Sequence, residues 1–164
     1  MTKTKHKSAP SSADKKKLTR IGWYEPVQLN ELGLPSIMAK IDTGAKTSAL
    51  HAFRVELFER DGIKKVAFSI HPHRGSSETI YCEADLHDYR NVTDSGGHTE
   101  KRYVIKTPVT LGNKTWPIEI TLTNRDNMSF RMLLGRSALR RQFVINPAKK
   151  CLSLKIKSKK QDPL

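Results

Sequence analysis

The sequence predicts an all-β domain, a barrel or sandwich of short strands carrying one short helix. Three observations predict it. Apolar residues recur with period two, or in runs of four to eight residues, rather than at helical spacing. Gly, Pro, Asn and Asp interrupt these runs at short intervals. Only one segment, RSALRRQF (136–143), reads as a helix, so the alternating βαβ pattern of a parallel sheet is missing. A chain of 164 residues and 18.6 kDa suits one domain with one core.

Order begins near Ile21. IGWYEPVQLNELG (21–33) reads as a strand interrupted by Pro26 and closed by Gly33. LPSIMAKI (34–41) alternates through Ile37, Ala39 and Ile41, and DTGAKTS (42–48) is a turn. SALHAFRVELFE (48–59) resumes the alternation as one strand. Asp61-Gly62 is a hairpin signal, with VAFSI (66–70) as the return strand. HPHRGSS (71–77) is a loop and TIYCEA (79–84) a strand. Residues 85–99 are rich in turn formers and read as an exposed excursion with Gly96-Gly97 near its tip. KRYVIKTPVTL (101–111), the Gly112-Asn113 turn and KTWPIEITLTN (114–124) form the next strand pair. A charged loop, RDNMSFR, leads into MLLG (132–135) and the helix. FVINP (143–147) and CLSLKIK (151–157) close the chain as strands, the second by its clean alternation.

The net charge of +14 is concentrated at the ends. Residues 1–20 carry +6, residues 149–160 carry +6, and the body between them is nearly balanced. The division expected is a disordered basic tail over 1–19, a folded domain over 20–157 and a flexible end over 158–164. Basic tails attract polyanions of any kind, including nucleic acid, ribosome surfaces and acidic peptides. The aromatic residues do not interleave with a basic run as a base-stacking platform would. No run is long and apolar enough for a membrane span, and the N-terminal charge is not followed by a signal-type apolar region. The expected location is the cytoplasm. Cys82 and Cys151 form no CxxC pair and read as small apolar residues. There is no Gly-rich phosphate loop and no HExxH; His71, His73 and His98 are the only histidines spaced to suggest a metal. No cofactor or metal is expected.

The text that carries chemistry is IMAKIDTGAKTSALHA. An apolar strand delivers Asp42 to a tight turn, Thr43 can bond across it, and Gly44 lets the backbone N–H approach the carboxylate. About 90 residues later MLLGRSAL supplies an apolar pair, a glycine and a short helix. Together, IGWYEPVQL, KIDTGAKTSALHA, YVIKTPVTLGNKTWPIEITLTNRDNMSFRMLLGR and FVINP resemble a family of small bacterial proteins. That family, long labelled ATP-dependent zinc proteases and now regarded as retropepsin-like, is often encoded beside the ligase that adds glutamates to ribosomal protein S6. The resemblance covers roughly residues 20–157.

The resemblance implies a retropepsin-like acid-protease barrel with Asp42 as catalytic residue and Thr43 and Gly44 as its supporting turn. It implies that Leu133, Leu134 and Gly135 pack beneath that turn, with Arg136 beside them. It also implies a flap within 88–107, tipped by Gly96 and Gly97. Ala45, Lys46 and Thr47 would border the substrate cleft with Arg102. Retroviral members carry acidic residues where Lys46 and Thr47 stand, and a cation there favours a carboxylate-bearing peptide. Aspartic proteolysis needs two carboxylates sharing a proton, and the chain has one Asp-Thr-Gly. A homodimer is therefore required, with the 151–157 strand as its candidate contact. The expected function is an aspartic-type peptide hydrolase acting on acidic or glutamate-rich peptide tails. The alternative is a noncatalytic dimeric binding module for acidic peptide or ribosomal RNA.

Overall fold

A computed structural model describes residues 17–159. The basic tail expected over 1–19 falls almost wholly outside the described residues, as does the chain end from 160. In chain order the strands are β1 (Thr19–Ile21), β2 (Tyr24–Leu29), β3 (Leu34–Ile41), β4 (Ser48–His51), β5 (Phe53–Arg60) and β6 (Ile63–Ile70). They continue as β7 (Ile80–Asp85), β8 (Asp88–Thr93), β9 (Thr99–Leu111), β10 (Lys114–Thr123), β11 (Met132–Leu134) and β12 (Phe143–Ile145). The helices are α1 (Arg136–Leu139) and α2 (Ser153–Lys159), with a 3₁₀ turn at Asn30–Leu32.

The largest sheet runs β10-β4-β11-β3-β2-β9-β8, and β9 also pairs antiparallel with β10 from Lys114–Leu111 to Thr121–Val104. Two of its parallel contacts position the site: β11 lies beside β3, Leu134 opposite Ile41, and β4 lies beside β10, Ser48 opposite Ile120. The β5-β6-β7 sheet is antiparallel, and β1 pairs with β12 in parallel. One apolar cluster joins the two larger sheets, with Leu29, Ile37, Leu50, Ile120, Met132 and Leu134 meeting Val66, Phe68 and Ile70.

This arrangement corrects the expectation of an acid-protease barrel with one short helix. The strands divide among three sheets. In the largest, β8 is an edge strand with β9 alone beside it, and β2 meets β9 at a single register pair, Gln28 opposite Thr110. There are also two α-helices among the described residues, and α1 ends at Leu139 rather than 143. The second helix replaces the strand expected over 151–157, and with it the proposed dimer contact. Its alternation was real, but the side chains are used otherwise. Ser153 and Ile156, three apart, face the backbone of Gly112 at the β9–β10 turn. The buried carboxylate of Glu25 accepts the N–H groups of Leu152 and Ser153, at 2.8 Å each, and that of Gly22 at 2.9 Å. Those N–H groups open the first turn of α2, where no helical partner exists for them.

Two further differences bear on the site. The single strand expected over 48–59 is broken at Ala52 into β4 and β5, which belong to different sheets. A bulge beside the break contains Arg54 at φ 51°. The excursion expected over 85–99 is a regular hairpin, with β8 paired to β9 from Asp88–Val104 to Thr93–Thr99. The Asp61-Gly62 turn has both residues at positive φ, 53° and 76°, as a two-residue hairpin of this hand requires.

Candidate active site

Asp42 leaves the end of β3 held by its backbone. Its N–H donates to the carbonyl of Leu134 at 2.8 Å, continuing the β3–β11 ladder one step past the strand. The chain then turns, with the Ala45 N–H donating to the Asp42 carbonyl at 3.3 Å. The Gly44 N–H donates to Asp42 Oδ1 at 3.1 Å. No described residue bonds the other carboxylate oxygen, and Thr43, Gly44 and Lys46 are exposed. One oxygen is thus fixed by the turn, and the other has no hydrogen-bond partner among the described residues.

The turn is held from below by the segment after β11. The N–H groups of Arg136 and Ser137 donate to the carbonyls of Ala45 and Lys46 at 2.7 and 3.0 Å. The Arg136 guanidinium donates to the carbonyls of Thr43 and Gly44 at 2.9 and 3.2 Å. Arg136 therefore holds three successive residues of the loop, 43–45, through side chain and backbone, and Ser137 holds the fourth, Lys46. Gly135 permits this approach. A Cβ there would lie 2.6 Å from the carbonyl carbon of Thr47 and 2.9 Å from the Ser48 nitrogen. Its N–H donates to the buried Ser48 hydroxyl at 3.1 Å.

On the strands that flank the turn, at Lys40 and Ala49, opens a groove of about 390 Å³ that none of residues 42–47 lines. Its walls come from β3, β4, β9, β11 and the loop after β10, through Lys40, Ala49, Arg102, Leu133, Arg125 and Phe130 among others. Arg102 is 8% exposed and pairs with Glu100, whose carboxylate also accepts the Thr123 hydroxyl at 2.9 Å. Burial raises the Glu100 pKa, but the Thr123 and Arg102 hydrogen bonds outweigh it and leave it below the usual range. Arg125 stands 3.7 Å from Asp94, at the turn of the β8–β9 hairpin. Asp94 Oδ1 accepts the N–H groups of Gly96 and His98 at 2.9 Å each, and these bonds, His98 first, hold its pKa down against desolvation. The loop after β10 is anchored by His51, a fully buried ring. Nδ1 accepts the Arg125 N–H at 3.1 Å, and Nε2 lies 3.2 Å from Asp126.

Asp42, Thr43, Gly44, Ala45, Lys46 and Thr47 are thus gathered in one turn against Leu134, Gly135 and Arg136. Arg102 and Leu133 line the groove. Gly96 and Gly97 sit at the hairpin tip, outside the groove lining. Sequence reasoning missed Lys40, Ser48, Glu100 and His51 as site residues, whereas Arg125 is one of several basic residues the sequence offers for a positive cleft or a solvated surface. Lys40 had a usable signal, since it stands two residues before Asp42 and shares its strand face. The others meet the site only through non-local pairing.

The family described as RimB-like, "Retropepsin-like aspartic endopeptidase RimB", matches residues 20–156. A Desulfotalea psychrophila protein named "Probable alpha-L-glutamate ligase" is 46% identical over 132 residues, 80% of this chain and 28% of that protein. Proteins of the same name from Shewanella pealeana and Parasynechococcus marenigrum are 43% and 44% identical, covering 82% and 77% of this chain and 30% and 28% of theirs. The chain therefore spans under a third of the length of these curated relatives. A crystal structure of a Legionella pneumophila protein of unknown function has a TM-score of 0.70 at 27% identity, covering 82% of this chain and 98% of that one.

These findings correct the label of ATP-dependent zinc protease. The matching family is described as aspartic, and the curated relatives are named as ligases. Among the described residues no three His, Cys, Asp or Glu side chains cluster as a metal would need. His71, one of the expected candidates, has its Nδ1 3.0 Å from the Glu78 carbonyl and its ring stacked on Phe53. No helix among the described residues is long and apolar enough to cross a membrane.

Proposed function

The chain belongs to the RimB-like family of retropepsin-like aspartic endopeptidases, and from that premise we propose that it hydrolyses peptide bonds in acidic, glutamate-rich chains. The observation that carries the reading is the Asp42 turn, with one carboxylate oxygen bonded to Gly44 and the loop held by Arg136. Two copies bring two Asp42 carboxylates together across a two-fold axis. One, ionised, takes a proton from water as the oxygen attacks the carbonyl carbon. The other, protonated, donates to the carbonyl oxygen. Collapse of the tetrahedral intermediate breaks the C–N bond, and the amine leaves with a proton from the pair. The exposure of Thr43, Gly44 and Lys46 leaves the turn accessible to a second copy. The substrate class rests on the cations beside the turn, Lys40, Lys46, Arg102 and Arg125, and on relatives named as glutamate ligases.

A second reading has its own support, and the comparisons favour it more directly. One chain brings a single Asp-Thr-Gly turn to the site, and the curated relatives in which this domain recurs are named for joining glutamate rather than releasing it. In that reading the domain holds an acidic chain without cutting it. Wild type and Asp42→Asn, incubated with peptides ending in several glutamates, separate the two when products are followed by mass spectrometry and the assembly by sedimentation. The hydrolase reading expects cleavage by a dimer and a loss of at least about a thousandfold in Asp42→Asn. Binding of the same peptides by both proteins, with no product from a dimeric wild type, would leave the binding module standing.

A further inference from the structure

The groove beside Asp42 collects three cations, Lys40, Arg102 and Arg125, whose mutual repulsion needs an answer. The β8–β9 hairpin supplies part of it. Glu100 pairs with Arg102, and Asp94 stands near Arg125. Both arginines also line a second cavity on the hairpin side, together with Asp94, Thr99 and Glu100. The same two guanidinium groups therefore face the groove and the hairpin's own acids. Lys40 has no acidic partner among the described residues.

The two pairs differ in kind. Arg102 is buried, its Nη1 is 3.4 Å from the Thr121 hydroxyl, and Glu100 is tied to Thr123 as well, so this pair is fixed. Arg125 and Asp94 are 3.7 Å apart, beyond hydrogen-bond distance, with the Arg125 side chain 43% exposed. The Asp94 carboxylate is engaged chiefly by the N–H groups of its own turn. An exposed pair at that distance is weak and exchanges its partner readily. Leu133 and Phe130 give the groove an apolar wall against which the methylenes of a long acidic side chain can lie.

The geometry points to a carboxylate subsite formed by Lys40 and Arg125, with Asp94 as its built-in competitor. A glutamate side chain of an acidic peptide enters the groove, takes the free ammonium of Lys40, and draws Arg125 from Asp94, while the Arg102–Glu100 pair stays as the fixed floor. Asp94 thereby acts as a weak internal stand-in for the substrate carboxylate. This inference rests on the proposal that an acidic chain binds beside Asp42, and it names the residues that select it.

The test is binding to the full chain carrying Asp42→Asn, which separates recognition from cleavage. The probe is a fluorescent peptide ending in several glutamates, with the glutamine peptide of equal length as control. Lys40→Met and Arg125→Gln are each expected to weaken glutamate-peptide binding about tenfold and leave the glutamine peptide unchanged. Asp94→Asn is expected to tighten it about two- to threefold. Because this variant gains affinity, misfolding cannot imitate it. Unchanged affinity in Lys40→Met and Arg125→Gln would overturn the subsite while leaving hydrolysis at Asp42 intact. No saturable binding of the glutamate peptide would overturn it as well. Tight, Lys40-dependent binding by a dimeric wild type that yields no product would uphold the subsite and sink the hydrolase reading. An unaltered Asp94→Asn would remove Asp94 as competitor.

Discussion

Gly135 shows how a single position decides the site. Its missing side chain lets β11 and the start of α1 pass against the backbone of residues 46–48. Gly135→Ala puts a methyl group into backbone atoms that have no rotamer to change. The expected cost is about 3 kcal/mol or more, read as a lowered midpoint in urea unfolding. A second residue-scale consequence concerns the thiols. Burial pushes the Cys82 thiol up to about 11, and its Sγ lies 3.3 Å from the Leu32 carbonyl, whereas Cys151 is only partly buried. At pH 8 iodoacetamide should modify Cys151 first and reach Cys82 only on unfolding, as peptide mass mapping would show. The motif residues themselves were legible because their chemistry is local: Asp42, Thr43 and Gly44 build their turn within three positions. Lys40 shares a strand face with Asp42, but its place in a cationic groove depends on Arg102 and Arg125, which arrive from β9 and the loop after β10.

At the scale of elements, the hairpins and β3 were readable because turn residues and alternation mark them directly. The errors fall where tertiary partners override the local pattern. CLSLKIK alternates well enough for a strand, yet it forms α2 because Glu25, more than a hundred residues earlier, collects the N–H groups of its first turn. Glu25→Ala removes three charge-assisted acceptor contacts from a buried place, which is expected to cost roughly 3 kcal/mol. Amide exchange should locate the damage, with protection lost at 152–156 before it falls in β3 or β10. Protection that drops uniformly would mean that α2 is integral to the cooperative core rather than clamped onto it. The break between β4 and β5 was hidden for a related reason. No Gly or Pro marks Ala52, and the division appears only when β4 is drawn between β10 and β11.

The whole molecule carries a pH dependence through His51. Burial is the largest cause holding its pKa below 6.5; Arg131 adds to it and Asp126 opposes. The neutral ring is the form the folded state keeps, since Nδ1 must accept the Arg125 N–H. A depressed folded pKa means that the unfolded chain binds the proton more readily. This contribution to stability is therefore fully present above 6.5 and declines as pH falls from there through the lowered folded value. Unfolding free energies measured between about pH 7 and 5 should fall in wild type and fall less steeply in His51→Gln. Equal slopes would assign the decline to other groups. The same ring anchors the loop that carries Arg125, so one buried histidine links global stability to the order of the groove.

Composition, alternation and turn chemistry determined by themselves that this is a β-rich domain, and the spelling of a few segments, KIDTGAKTSALHA and the run into MLLGR among them, pointed to its family. These features survive in one dimension because each acts over a few residues. Only the tertiary structure decided that the strands divide among three sheets, that Ser153–Lys159 form a helix, and that Lys40, Arg102 and Arg125 share a groove beside Asp42. Sheet order and the gathering of like charges depend on contacts between residues far apart in the chain. Their energies are set by burial and distance, which sequence spacing does not encode.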